Sequence, residues 1–217
     1  MPFNSGGGPA INEVIDQAQA CLAELIDLFD DVTEARRQEP TEDLISAMVA
    51  AQVDGDRLSR DELFAMCILI FLAGHETTSS LLSNGTLASL ENPDEYDKLK
   101  ADPEGIIDLA IEEFVRYESS VTRGARRALQ GHELRGQQIE AGRTITHLIG
   151  AGNRDPEVFE NPDQLDVARQ PNNHLGFGNG IHFCLGGHLA RIQGSIAFRK
   201  IIERLPNLQL ATDKFSL

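Results

Sequence analysis

The stretch from Ser59 to Asn92 constrains the fold most. Ser59-Arg60-Asp61-Glu62 has the spacing of a capping box, in which a serine and a glutamate three residues on satisfy each other's backbone N–H at a helix start. Asn92-Pro93 stops the pattern, because proline disfavours helix in the residue before it. The spacing therefore predicts one helix to about Glu91, roughly 45–50 Å long at ~1.5 Å per residue, the width of a whole domain. Leu63 to Ala73 is apolar on every side, so this helix is expected to cross the protein's centre. That run, about 11 residues, falls short of the ~20 that span a bilayer. A chain of 217 residues with 41% hydrophobic content can bury one good core or two small ones.

The middle of the same helix breaks its own rules at Ala73-Gly74-His75-Glu76-Thr77-Thr78-Ser79-Ser80. Glycine costs about 1 kcal/mol against alanine in a helix interior. Buried hydroxyls and a carboxylate need partners or water, and serine and threonine can bond back to the preceding turn and loosen it. A local violation at a buried position is where function is expected. The plainer reading is a polar kink where the helix meets solvent. A zinc pair at His75-Glu76 fails, since Ser79 stands where a second histidine is required.

A second unusual stretch is Phe177-Gly178-Asn179-Gly180-Ile181-His182-Phe183-Cys184-Leu185-Gly186-Gly187. A helix is predicted from about Leu185 to Leu205, with Leu189, Ile192, Ile196 and Ile201 close to one face and Pro206 beyond its end. Cys184 then sits at the amino end, where free N–H groups and the positive dipole end favour a thiolate. Gly178, Gly180 and Gly186 carry no side chain, so a flat, bulky group can lie against the backbone. A thiolate on N–H donors beside such a group suits an axial ligand to haem iron. The alternative is a buried, inert cysteine after a glycine-rich turn.

The remaining segments set the frame. Residues 1–9 are Gly/Ser/Pro-rich and read as frayed; a helix from about Ala10 to Gln38 carries an apolar stripe from Ile11 to Val32. After Pro40, Thr41 reads as the N-cap of a short helix through Leu44, Ile45, Met48 and Val49, and Asp54-Gly55-Asp56 as a turn. Ile106 to Tyr117 is helical with Ile107, Ala110, Ile111 and Phe114 inward, and Glu113 and Arg116 can pair at i,i+3. A small antiparallel sheet is expected over about Gly124–Leu129, Glu133–Leu134, Gln138–Ile139 and Thr144–Ile149. Asn153 to Phe159 reads as a turn into a short helix, and 161–173 as irregular. The expected class is mainly α, with a small segregated sheet. Cys21 and Cys67 read as core residues; with Cys184 they form no Cys-x-x-Cys pair, which fits a reducing cytoplasm, and no leader-peptide pattern opens the chain. A net charge of −15 argues against nucleic acid and anionic membrane surfaces as partners.

Phe177-x-x-Gly180-x-x-x-Cys184-x-Gly186 resembles the haem-thiolate loop of the cytochrome P-450 monooxygenases. Ala73-Gly74-His75-Glu76-Thr77 resembles that family's oxygen-binding motif, and Glu113-x-x-Arg116 with Arg169 its Glu-x-x-Arg motif and meander arginine. The resemblance implies haem b as cofactor with Cys184 as its axial ligand. Ala73 and Gly74 would leave room for dioxygen, and Glu76 and Thr77 would deliver protons to it. Arg126, His182 and His174 would bind haem propionates, and Phe177, Gly178 and Gly186 would pack against the ring. Glu113, Arg116 and Arg169 would support the loop. The implied reaction inserts one atom of dioxygen into a small organic substrate, with electrons from a ferredoxin- or flavodoxin-like partner; a peroxide-using peroxygenase or a non-catalytic haem-binding fragment is the alternative. The motifs match only the carboxyl-terminal half of a full-length family member, so residues 1–217 are expected to form that part of one domain, truncated at the amino terminus.

Overall fold

In the computed structural model, which describes residues 11–53 and 56–211, the capping box forms as its spacing requires. The Ser59 N–H donates to Glu62 Oε2 at 2.9 Å, and the Glu62 N–H to Ser59 Oγ at 3.2 Å. The helix it opens runs unbroken over Arg60–Glu91, and a new helix begins at Pro93. In chain order the elements are α1 (Ile11–Gln38), α2 (Leu44–Ala50), β1 (Gln52–Val53), β2 (Asp56–Arg57), α3 (Arg60–Glu91), α4 (Pro93–Ala101) and α5 (Pro103–Tyr117). Then come β3 (Gly124–Arg127), β4 (His132–Leu134), β5 (Gln137–Ile139), β6 (Thr144–His147), α6 (Ile149–Gly152), a 3₁₀ turn (Gly180–His182) and α7 (Gly187–Arg204). The chain divides into two compact units, 1–73 and 74–217, with the division inside α3.

In the first unit α1 packs on α2, and β1 pairs with β2 antiparallel. The expected turn at Asp54-Gly55-Asp56 falls mostly outside the described residues. Asp43, not Thr41, caps α2: its carboxylate accepts from the Ser46 N–H at 2.7 Å. Thr41 instead donates its hydroxyl to Asp43 Oδ2 at 2.8 Å, the same oxygen that Arg36 Nε reaches at 2.5 Å, which leaves Oδ1 to accept the capping bond. Cys67 is buried as expected, but Cys21 is exposed, as are Ile11, Val14, Ile15 and Leu22 of the apolar stripe. The central-helix expectation also needs correction. Leu63, Phe64 and Cys67 are buried, whereas Leu69, Phe71 and Leu72 are each more than half exposed. A helix apolar on all sides needs neighbours on all sides; Phe71 meets Phe29 edge-on at 6.4 Å yet stays half exposed. By length and composition α3 is apolar enough to cross a membrane.

The second unit holds the main core. Leu81, Ala88, Tyr96, Leu99, Ile107, Ala110, Ile111, Phe114, Val115, Leu165, Val167 and Phe198 join the second half of α3 to α4, α5 and α7. Gly85 makes this possible: a Cβ there would lie 2.8 Å from the Phe198 ring and 3.0 Å from that of Phe114. Those two rings pack at 4.7 Å. Helix α5 starts earlier than its periodicity suggests, because Asp102 caps it through the Gly105 N–H at 3.0 Å and Pro103 takes the first position. Helix α7 turns a different face inward than its aliphatic spacing suggests. Gly187, Gly194 and Phe198 are buried and Ile201 is partly covered, while Leu189, Ile192 and Ile196 are exposed. Close approach decides this, since a Cβ at Gly194 would sit 3.0 Å from Ile111 Cδ1.

The expected single sheet is two separate antiparallel ladders. β3 pairs with β6 from Gly124↔His147 to Arg127↔Thr144, and β4 with β5 from His132↔Ile139 to Leu134↔Gln137. The short helix near Asn153 precedes that residue as α6; turns follow from Asn153 to Phe159, and residues 161–173 are irregular as expected.

Candidate functional site

The loop from Phe177 to Gly187 is closed by its own backbone. The Cys184 N–H donates to the Phe177 carbonyl at 2.9 Å, Phe183 N–H to Gly180 O at 3.0 Å, and Gly187 N–H to Cys184 O at 3.2 Å. Gly178 and Gly180 occupy the left-handed region at φ +74° and +72°, which side chains rarely adopt. Cys184 stands exposed three residues before α7. It is therefore not the buried cysteine of the alternative reading. Around it Ile181, Phe183, Leu185 and Gly186 are exposed, and among the described residues nothing beyond the adjoining ones lies within 4 Å of where a Cβ on Gly180 or Gly186 would be. The outer face of the loop is thus an apolar, side-chain-poor ledge beside a sulfur.

Next to it lies a cavity of about 200 Å³ lined by Arg126, His147, Leu148, Ile149, Leu175, Gly178 and Asn179. The fold therefore brings Arg126, from β3, to the same cavity as the glycine loop. Its guanidinium donates to the neighbouring Ala125 carbonyl at 2.8 Å, and the residue is exposed. His182 is exposed on the loop itself. His174 is not placed for a propionate. Its Nδ1 accepts the Gly176 N–H at 3.1 Å, which leaves the proton on Nε2, and Nε2 donates to Glu112 Oε2 at 2.9 Å. With a side chain only 4% exposed, this histidine is consumed in holding the loop's approach.

Behind the loop the packing is saturated. The Glu113 and Arg116 side chains are wholly buried and joined by two 2.8 Å bonds. Arg169 Nε reaches Glu113 Oε2 at 3.0 Å, so the helix pair and the later arginine meet as expected. Arg116 spends its remaining donors on the carbonyls of Asn153, Pro162 and Gln164 at 2.7–3.1 Å, and Arg169 donates to Glu160 and Gln164. Sequence reasoning missed Asn153, which is fully buried. Its amide donates to Ser119 Oγ at 2.8 Å and accepts the Leu175 N–H at 2.7 Å, tying α5 to the start of the loop. A lone asparagine after a glycine gives no sequence signal for that. Glu112 and Arg191 were missed too: Arg191 forks onto Glu112 at 2.5 and 2.9 Å, with its guanidinium 4.4 Å from the Phe177 ring centre.

The polar segment of α3 stays helical. Ser79 and Ser83 return their hydroxyls to the carbonyls four residues back, at 3.0 and 2.9 Å. That is the back-bonding expected of hydroxyls in a helix. Ser120, from the turn after α5, donates to the Thr77 carbonyl at 2.8 Å, and Asn84 to the Glu118 carbonyl at 3.2 Å, so α3 is pinned twice to that turn. Ala73, Gly74 and Glu76 are exposed and Thr77 and Thr78 half-buried, where a buried site was expected. No atom meets a Cβ placed on Gly74.

Residues 9–208 match the family Cytochrome P-450. The chain is 45% identical over 200 residues to the polyketide biosynthesis cytochrome P-450 PksS of Bacillus subtilis, covering 92% of this chain and 48% of that protein. It is 43% identical to a steroid C26-monooxygenase of Mycobacterium tuberculosis, covering 82% and 48%. The solved structure of PksS superposes with a TM-score of 0.88 at 43% identity, covering 97% of this chain and 53% of that one. CYP109E1 from Bacillus megaterium in complex with testosterone superposes at 0.89 with 33% identity, covering 95% and 57%. The chain spans about half the length of the curated relatives it matches. Matched along nearly its whole described length in sequence and in fold, the chain belongs to the cytochrome P-450 family, whose members are haem-thiolate proteins carrying haem b.

Proposed function

We propose that residues 1–217 are the carboxyl-terminal, haem-ligating part of one cytochrome P-450 domain, and that it serves a cytoplasmic monooxygenase. The observation that carries this is the exposed Cys184 on a loop whose glycines leave an open ledge. The donor set fits haem b: a single sulfur for the iron, an apolar ledge for the ring, and exposed Arg126 and His182 for propionates. When bound, haem b supplies dioxygen activation, to which thiolate donation contributes by favouring O–O cleavage. The protein's own residues bind, orient and move protons. Cys184 is the ligand, with its backbone anchored to Phe177; Phe177, Gly178 and Gly186 shape the ledge. Gly74, beside Ala73, leaves space above α3, and Glu76 and Thr77 present a carboxylate and a hydroxyl that hold and transfer protons for dioxygen reduction. One oxygen atom enters a small organic substrate and the other leaves as water, with electrons from a ferredoxin- or flavodoxin-like donor. The three unpaired cysteines support a reducing compartment.

The reduced, carbon monoxide-bound protein is expected to show the strongly red-shifted Soret band of thiolate ligation, and Cys184→Ala to lose it. A haem-loaded protein without that band overturns the ligand assignment; no haem uptake favours the non-catalytic reading, which the exposed apolar surface of α3 also suits. Thr77→Ala is expected to keep haem and divert reduced oxygen to peroxide; unchanged coupling of electrons to product removes Thr77 from proton transfer. Turnover with peroxide but none with a reductase chain would instead favour a peroxygenase.

A further inference from the structure

Resting on that reading, we infer that Glu112 and Arg191 are positioning residues for Cys184, a fixed ion pair that braces the ligand loop from behind and keeps a cation beside that loop. The two residues come from different helices, α5 and α7. Glu112 accepts three bonds: Nε and Nη2 of Arg191 at 2.5 and 2.9 Å, and Nε2 of His174 at 2.9 Å. A two-point fork fixes the plane of a guanidinium as well as its position. That plane lies over Phe177, 4.4 Å from its centre, and the Phe177 carbonyl takes the Cys184 N–H. Phe177 also touches the rings of His174 at 5.7 Å and Phe183 at 6.4 Å, so the brace reaches both ends of the loop. Gly187, the first residue of α7, lies against both: a Cβ there would be in ordinary contact, 3.5 Å, with Arg191 Nη1 and with Phe177. Burial alone would raise the Glu112 carboxyl, but the bonds from His174 and Arg191 outweigh it and hold the group at about 2. The pair therefore stays charged in any ordinary buffer. The bond to Glu112 likewise pushes the Arg191 guanidinium further up from its ordinary value, against the opposing effect of its burial.

A pair that merely ties α5 to α7 and one that sets the loop differ in what their loss changes. Amide hydrogen exchange on the chain as it stands separates them. Arg191→Gln is expected to speed exchange at Cys184 and Phe183 about tenfold while amides beside Ile107 and Phe198 keep their protection. Exchange unchanged in the loop, or raised equally in the core, overturns the inference. In haem-loaded protein, Arg191→Gln is expected to lower the reduction potential, since a cation near the ligand favours the reduced, more negative state. Arg191→Lys restores that potential but not the loop's protection, because it keeps the charge and loses the fork. A potential that does not move in Arg191→Gln also overturns it. Failure of the parent chain to take up haem would sink the functional reading and leave the exchange result to decide the brace.

Discussion

The two sides of the Cys184 loop are built on opposite principles. On the inner side, Glu113, Arg116, Arg169 and Asn153 are buried, and each carries several protein partners. On the outer side, Ile181, Phe183, Cys184 and Leu185 face solvent, flanked by Gly180 and Gly186. The adjacent carboxylates of α5 mark the boundary: Glu113 is fully buried, whereas the Glu112 side chain keeps 25% of its surface. The difference teaches where the chain is self-sufficient. Its own residues complete the inner side, so changes there should act on folding. If the outer side is the haem-facing one, as proposed above, changes there should act on binding and leave folding alone.

The sharpest way to break this contrast is Glu113→Ala. It strands two buried guanidiniums, Arg116 and Arg169, and truncating one partner of a buried ionic network costs about 3–5 kcal/mol. Urea unfolding should register a loss of that order. Cys184→Ala, on the exposed side, should shift the same midpoint by less than about 0.5 kcal/mol. Equal losses would show that the outer loop is as much a part of the folded core as the inner one.

Gly176→Ala tests the seam between the sides. A Cβ there would collide with Val115 Cγ1 and lie 3.0 Å from the Val115 carbonyl, a backbone atom that cannot swing away. Overpacking of this kind costs about 1–3 kcal/mol, and the substitution should also loosen the loop that Gly176 leads into. A neutral outcome by thermal unfolding would mean that the segment from Leu175 to Phe177 adjusts freely, and the inner side would then be less rigid than its bonds imply.

How much of this was legible in the sequence follows the same boundary. Motifs whose meaning lies in spacing were readable: the Ser59–Glu62 cap, the Glu113/Arg116/Arg169 cluster and the glycine loop before Cys184 all form. Burial was less readable. The apolar length of α3 suggested a central helix, and the aliphatic stripe of α7 suggested its inner face, yet Phe71, Ile192 and Ile196 are exposed. Periodicity reports that a face is apolar but not what covers it, and in α7 the fit of Gly194 over Ile111 decided the orientation instead. Side chains that bond across long sequence separations were the hardest. His174 reads as a propionate ligand by its distance from Phe177, and only the fold shows Glu112, 62 residues away, taking its Nε2 proton.

The smallest expected effect probes the boundary carboxylate through pH. Glu112 is lowered from its ordinary 4.5 to about 2, burial being outweighed by the bonds from His174 and Arg191. A carboxyl with a depressed folded value contributes stability above its unfolded value and loses it as pH falls. The contribution should therefore be intact above about pH 4.5 and fade as the pH drops from there towards 2. Glu112→Gln removes the titrating group, so the variant's stability should fall less steeply than the parent's across that window, while the gap between them narrows. Glu112 is partly solvated, so screening by salt should shrink the difference, which sets it apart from the wholly buried Glu113 network. Parallel pH profiles for parent and variant would mean that Arg191 and His174 hold Glu112 no more tightly when it is ionised than when it is neutral.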